Sequence, residues 1–202
     1  MVRGWLYEPV KALGAGLVIT HGAGSNCQSP LLVALAEVFT GAGFPVLRCD
    51  LPYRQEHSAG PPRAGSTERD RDGLRRAVDA MREITPEFIL LGGHSYGGRQ
   101  STLLAAEFPD LVNGLLLLSY PLHPPRKPEQ LRTRHFPELR TPALFVHGTR
   151  DPFGSGEEMQ VALAAIPARH HLFLLEKMGH QLSPAAAPAI LRETACHLFP
   201  NA

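Results

Sequence analysis

The sequence predicts an α/β protein: a doubly wound, mainly parallel sheet of about six strands with helices on both faces. Three observations predict it. Short apolar runs without polar alternation recur along the chain, as strands buried on both faces require. Segments with apolar residues at helical spacing lie between those runs. The length of 202 residues fits one domain with a substantial core, so 1–202 is expected to fold as a single unit.

The apolar runs are 16–20, 45–49, 88–92, 115–119, 143–147 and 171–175. The first helix is expected over 30–40, where Leu31, Leu32, Leu35, Ala36 and Phe39 form a stripe and Gly41 and Gly43 stop it. The second covers 67–84, with Leu74, Ala77, Val78 and Met81 in helical register, and Thr67 followed by Asp70 reads as a capping box. Its charges, Arg69, Arg71, Arg75 and Arg76 among Glu68, Asp70, Asp72 and Asp79, read as a solvated face. Further helices are expected over 98–108, 157–166 and 185–199, the last started or interrupted by Pro188. The Pro-rich segments 52–66 and 120–142 read as loops framing one rim of the sheet.

Composition excludes several classes. The net charge of +1 leaves no electrostatic footprint for nucleic acid. No apolar run approaches the roughly 20 residues that cross a bilayer, so no membrane partner is expected. The three cysteines, Cys27, Cys49 and Cys196, are widely spaced, with no pattern for zinc, and suit a reducing compartment. The N-terminus lacks the uninterrupted apolar segment of a signal peptide. A cytoplasmic protein is expected.

Parallel sheets bind ligands beyond the carboxyl ends of their strands. The third run ends in Gly93-His94-Ser95-Tyr96-Gly97, a G-x-S-x-G pattern that places a serine on a tight strand-to-helix turn. Serine needs a base to become a nucleophile, and the base needs a carboxylate to hold its tautomer. Asp151 follows the fifth run and His180 follows the sixth, so Ser95, Asp151 and His180 fall on one rim in the order Ser, Asp, His. An oxyanion hole needs backbone N–H groups aimed at the developing charge. Tyr96, next after the serine, supplies one; the loop His21-Gly22-Ala23-Gly24 supplies the other, from Ala23 first and Gly24 second. Tyr53, Arg54, Tyr120 and His123 lie in loops that overhang the rim and are the candidate substrate contacts. Arg54 and Arg126 offer guanidinium groups for an anionic substrate, against the alternative of solvated loop arginines. His147 and His171 sit in apolar runs and read as packed or hydrogen-bonded, His21 as shaping its loop, and Cys27 and Cys49 as packed thiols.

These motifs resemble the α/β-hydrolase superfamily in its small, capless form, over most of the chain from residue 16 to about residue 199. The nearest branch resembles dienelactone hydrolases. Within it, Thr20-His-Gly-Ala-Gly24, Leu51-Pro-Tyr-Arg54, Gly93-His-Ser-Tyr-Gly-Gly-Arg99 and Ser119-Tyr-Pro-Leu-His123 are similar to the testis-expressed α/β-hydrolase-like proteins and to the hydrolase-like domain of a chromatin-complex subunit. The resemblance implies a Ser95-Asp151-His180 site and no particular substrate; authentic dienelactone hydrolases carry a cysteine where this chain has Ser95.

The function expected is a serine hydrolase that cleaves a small or medium acyl ester, thioester or amide through an acyl-enzyme. No metal and no organic cofactor is required. The partner is a small-molecule acyl substrate, and the oligomeric state is left open. Two other readings stand beside it. A non-catalytic interaction module would keep the scaffold alone. A dinucleotide-binding protein would use Gly22-Ala-Gly24-Ser-Asn-Cys27 and Asp50, but that glycine pattern is partial and leaves the serine turn unexplained.

Overall fold

The computed structural model describes residues 1–63 and 65–199. One sheet of seven strands runs through it, in the order β1-β3-β2-β4-β5-β6-β7. The strands are β1 (Arg3–Tyr7), β2 (Ala15–Thr20), β3 (Val46–Asp50), β4 (Phe88–His94), β5 (Gly114–Leu118), β6 (Ala143–Gly148) and β7 (His170–Leu175). All neighbours are parallel except β1, which pairs antiparallel with β3. The six expected runs are all strands, and β1 is an addition. Its sequence, Arg-Gly-Trp-Leu-Tyr, is largely exposed and carries no run of buried apolar residues.

The helices are α1 (Pro30–Gly41), α2 (Pro52–Glu56), α3 (Ser66–Arg82), α4 (Tyr96–Glu107), α5 (Gly156–Leu163) and α6 (Ala187–Leu198). Two short 3₁₀ turns, Phe136–Glu138 and Pro184–Ala186, complete the set. Pro188 starts α6, where a missing N–H costs nothing. Among the described residues no separate cap domain interrupts the fold; the segment between β5 and β6 holds only the first 3₁₀ turn.

Period-2 geometry sends successive strand residues to opposite faces. Leu17, Ile19, Leu90, Leu116, Leu118, Leu144 and Val146 pack toward Leu32, Leu35 and Phe39 of α1 and Ile190 of α6. Val18, Leu91, Leu115, Leu117 and Phe145 pack toward Leu74 and Val78 of α3, Leu104 of α4 and Met159 of α5. Each such side chain contributes about 1.5–3 kcal/mol by leaving water. That two-sided burial is why these strands read as unbroken apolar runs. The expectation fails for β7: as the outer strand it is only half-buried, with Leu174 exposed.

The capping box expected at Thr67 and Asp70 is absent. The helix starts one residue earlier, after Gly65 in the left-handed region (φ 84°), with no side-chain cap. Asp70 is not on the solvated face either. It is fully buried, where its carboxylate accepts the Tyr53 N–H at 3.0 Å and the Tyr96 hydroxyl at 2.8 Å. The surrounding arginines do behave as a surface face, in exposed pairs such as Arg69–Glu56 and Arg75–Asp72. A capping box exists elsewhere: Ser155 Oγ accepts from the Glu158 N–H, and the Glu158 carboxylate accepts from the Ser155 N–H.

Among the described residues, no helix is long and apolar enough to cross a membrane.

Candidate active site

The sheet register sets the site. Thr20 lies beside Gly93, His94 beside Leu118, Leu118 beside Val146, and Gly148 beside Leu175, so the carboxyl ends of β2, β4, β5, β6 and β7 form a continuous edge. Ser95 leaves β4 at the middle of this edge, with φ 52° and ψ −112°. A non-glycine residue there is strained and persists only where its surroundings hold it. The Ser95 N–H donates to the Leu118 carbonyl at 2.8 Å. A Cβ on Gly93 would sit 2.7 Å from the Gly97 carbonyl carbon, and one on Gly97 would sit 2.6 Å from the His21 carbonyl oxygen. The turn closes only because both positions are glycine.

The loops after β6 and β7 bring their side chains to the serine. The Ser95 hydroxyl donates to His180 Nε2 at 2.8 Å. His180 Nδ1–H donates to the Asp151 carboxylate, at 2.8 Å to Oδ2 and 3.0 Å to Oδ1. A carboxylate only accepts, so Nδ1 holds the imidazole proton and Nε2 is left as the acceptor. Asp151 is held in turn by the Phe153 N–H at 2.9 Å, and the Phe153 ring lies over the His180 imidazole with centroids 4.1 Å apart. The three sequence-predicted residues therefore form one hydrogen-bonded chain.

His94, inside the turn, donates from Nε2 to the His180 carbonyl at 2.8 Å and ties the histidine loop to β4. Burial drives its pKa down to about 4, against the opposing effect of that bond. A Cβ on Gly22 would come within 2.8 Å of the His94 Nδ1.

The loop after β2 is fixed by its carbonyls. The Gly22 carbonyl accepts from His21 Nδ1–H at 2.9 Å and the Ser25 N–H at 3.1 Å. The Ala23 carbonyl accepts from the Tyr53 hydroxyl at 2.9 Å and Arg54 at 3.1 Å. In a trans peptide the N–H points opposite to the carbonyl. The Gly24 amide therefore points away from Tyr53 and Arg54, the Ala23 amide points away from the His21 and Ser25 donors on the Gly22 carbonyl, and both residues line the cleft beside Ser95. Tyr96 is the first residue of α4, whose opening N–H groups have no partner within the helix.

The candidate substrate contacts lie elsewhere. Tyr53 and Arg54 are buried behind the Ala23 loop, and the Arg54 guanidinium is spent on the carbonyls of Ala23, Ser25, His57 and Gly60. Tyr120 is buried against Phe136 and Phe145, its hydroxyl donating to the Arg132 carbonyl at 2.6 Å. His123 is buried, with Nδ1–H donating to the Pro124 carbonyl at 2.8 Å. None of the four lines the cleft at Ser95. They were placed by loop position alone, which does not show whether a side chain turns outward or in. The residues that do line it beyond those expected include His94, Phe153, Gln181, Asn26 and Gln28. Phe153 and Gln181 had a signal, since each stands within two residues of an expected catalytic position.

His21 shapes its loop as expected, taking the Leu51 N–H on Nε2 at 3.1 Å while Nδ1 donates. Burial lowers its pKa, consistent with a neutral ring. Cys27 and Cys49 are buried thiols, pushed up by burial to about 11 and about 12. Asp50 is committed to the Cys27 N–H at 2.8 Å and to Arg3 at 3.1 Å. The Gly22–Gly24 loop does not open α1 directly, because residues 25–29 intervene before Pro30. The dinucleotide reading loses both of its features.

The family described as an alpha/beta hydrolase domain matches residues 14–197. This chain belongs to the α/β-hydrolase family. An esterase of Mycobacterium tuberculosis is 28% identical over 160 residues, which cover 76% of this chain and 47% of that protein. The chain thus spans about half the length of that curated relative. A dienelactone hydrolase from Anabaena variabilis has a solved structure that matches with a TM-score of 0.76 and 22% identity, over 98% of this chain and 93% of that one. Est1E from Butyrivibrio proteoclasticus, solved with ferulic acid bound, matches with a TM-score of 0.75 and 19% identity over 96% of each chain. At these identities the structural likeness is one of fold.

In this α/β-hydrolase chain, the described residues hold one set of three potential metal ligands, His171, Glu193 and His197. His171 and His197 stack at 3.6 Å, and each Nε2 lies within 3.7 Å of Glu193 Oε2. None of the three lines the Ser95 cleft.

Proposed function

We propose that this α/β hydrolase is a serine hydrolase that cleaves a small or medium acyl ester, thioester or amide through an acyl-enzyme on Ser95. The observation that carries the reading is the unbroken chain Ser95 Oγ, His180 Nε2, His180 Nδ1, Asp151. In the scheme, Ser95 Oγ attacks the carbonyl carbon as its proton passes to His180 Nε2. Asp151 stabilises the imidazolium through Nδ1–H. The carbonyl oxygen becomes an oxyanion and takes hydrogen bonds from the Tyr96 amide and from Ala23, with Gly24 as the neighbouring donor. Each such donor contributes about 3–4 kcal/mol to the transition state. The imidazolium then passes its proton to the leaving oxygen, sulfur or nitrogen, and the acyl group remains on Ser95. Water, deprotonated by His180, releases the acid by the same steps in reverse. Each role is filled by a residue of the chain.

The substrate class follows from the cleft. Its volume is about 660 Å³, it is open to solvent, and much of its lining is polar. A long acyl chain would bury little apolar area there, whereas a short one loses nothing. The test is hydrolysis of p-nitrophenyl esters from acetate to decanoate. Acetate and butyrate are expected to be the best substrates, with Ser95→Ala at background. Folded wild-type protein that leaves the whole series intact contradicts the reading.

A further inference from the structure

Beside the Ser95 cleft lies a second hollow of about 350 Å³, whose lining includes Arg3, Trp5, Asn26, Gln28, Asp50 and the sequence-predicted Arg54. Asn26 and Gln28 line both hollows, so the two adjoin across the ridge at residues 26–28 and are taken together as one groove. We propose that this groove binds a polyhydroxylated leaving group, so that the substrate is an acyl ester of a sugar or a similar polyol. The proposal rests on the hydrolase reading and names the alcohol that reading leaves open.

The ridge is built rather than loose. The Cys27 N–H is held by Asp50 Oδ1 at 2.8 Å, its carbonyl accepts from Arg48, and the Gln28 N–H is held by Asn26 Oδ1 at 2.8 Å. The backbone of 26–28 is fixed on both sides, while the side chains of Asn26 and Gln28 remain exposed. Side-chain amides donate and accept at once, as hydroxyls do, and pair with them without selecting for charge. Ser25 and Ser29, at the cleft end of the same loop, add hydroxyls.

Trp5 supplies the other half of the chemistry. It stands on the outer strand β1 and is 54% exposed, which is unusual for a large indole on a protein surface. A sugar ring is polar at its rim and apolar on its C–H faces. An exposed indole face next to fixed amides offers a partner for each. The charges here cancel or are spent. Arg3 pairs with Asp50, and the Arg54 guanidinium is committed to backbone carbonyls. An anionic leaving group therefore meets no uncommitted guanidinium from either residue, and an alkyl one meets a polar ridge.

The bonds balance. The ester carbonyl carbon gains the bond to Ser95 Oγ and loses the bond to the alcohol oxygen. The Ser95 proton travels through His180 Nε2 to that oxygen, and the neutral polyol departs along the groove.

Trp5 is the only tryptophan in the chain, so its emission reports on this groove alone. In Ser95→Ala protein, methyl 6-O-acetyl-glucoside is expected to change that emission saturably, and cyclohexyl acetate, an apolar ester of similar ring size, is expected not to. In active protein, kcat/KM for the acetyl glucoside is expected to exceed that for cyclohexyl acetate at least 10-fold. Trp5→Ala is expected to collapse that ratio by a similar factor, chiefly through KM. No saturable emission change, or equal use of the two esters, overturns the proposal while leaving the hydrolase reading intact. Failure to cleave any acetyl ester, p-nitrophenyl acetate included, overturns both.

Discussion

The Arg54 guanidinium donates to the Ala23 carbonyl at 3.1 Å and leaves the Gly24 N–H on the opposite side of the peptide. It works beside the Tyr53 hydroxyl, which donates to the same carbonyl at 2.9 Å. Neither side chain lines the Ser95 cleft, although Arg54 lines the adjoining hollow, and both hold the Ala23–Gly24 peptide whose N–H lies opposite them. They are positioning residues for the proposed oxyanion hole.

Tyr53→Phe removes one hydroxyl and keeps the ring. A lost neutral hydrogen bond costs about 1 kcal/mol. Spread between folding and the orientation of the amides, that corresponds to a fall in kcat of about 2–5-fold with KM little changed. Arg54→Lys, which cannot reach four carbonyls from one ammonium, is expected to cost more in both kcat and melting temperature. Steady-state kinetics beside a thermal melt separate the two. A change in KM alone would contradict the positioning role.

Asp151→Asn keeps the shape of the Asp151–His180 pair but presents a donor where Nδ1–H must be accepted. The imidazole then favours the tautomer that cannot take the serine proton. The expected loss in kcat is on the order of 10³–10⁴-fold, recovering in part as pH rises. A loss below 10-fold would show that the pair does not act as the base assembly.

His94 makes stability depend on pH. Its folded pKa is about 4, lowered chiefly by burial, against about 6.5 in the unfolded chain. Between those values the unfolded state binds more protons, so stability is fully present above about pH 6.5 and is lost as pH falls toward 4. The contribution is on the order of 3 kcal/mol. The pKa values of His21 and His147 are also lowered by burial and push the same way. Denaturant melts across this range are expected to show a shallower decline for His94→Gln than for wild type. Identical slopes would remove His94 from the account.

Gly93→Ala tests the serine turn itself. The added Cβ meets backbone atoms of Gly97 and Gly98 at 2.7 and 2.8 Å, and backbone cannot rotate aside as a flexible side chain can. Destabilisation of about 1–3 kcal/mol is expected. The folded fraction is also expected to lose most of its activity, because Ser95 moves with the turn. A variant with full activity and an unchanged melt would contradict the packing argument.

Much of this was legible in the sequence, for identifiable reasons. Strands buried on both faces must be apolar throughout, so β2 to β6 announce themselves; β7, though half-buried, still carries an apolar run, and the carboxyl ends of β4, β6 and β7 put Ser95, Asp151 and His180 on one edge. Strand β1 was not legible, because an exposed outer strand carries no such run. The burial of Asp70 was hidden among charged neighbours, since only the packing of Tyr53 and Tyr96 draws that carboxylate inward. Loop side chains were the hardest to read. Tyr53 and Arg54, expected as substrate contacts, instead turn their polar atoms to backbone carbonyls, a choice that sequence spacing does not encode.

Covalent capture reads out whether Ser95 is the nucleophile. The measurement is intact and peptide mass after exposure to a fluorophosphonate, for wild type, Ser95→Ala and His180→Ala. One adduct per chain is expected on the peptide bearing Ser95, none with Ser95→Ala, and strongly slowed labelling with His180→Ala. Folded wild-type protein that takes no label, or takes it on another residue, would contradict Ser95 as the nucleophile.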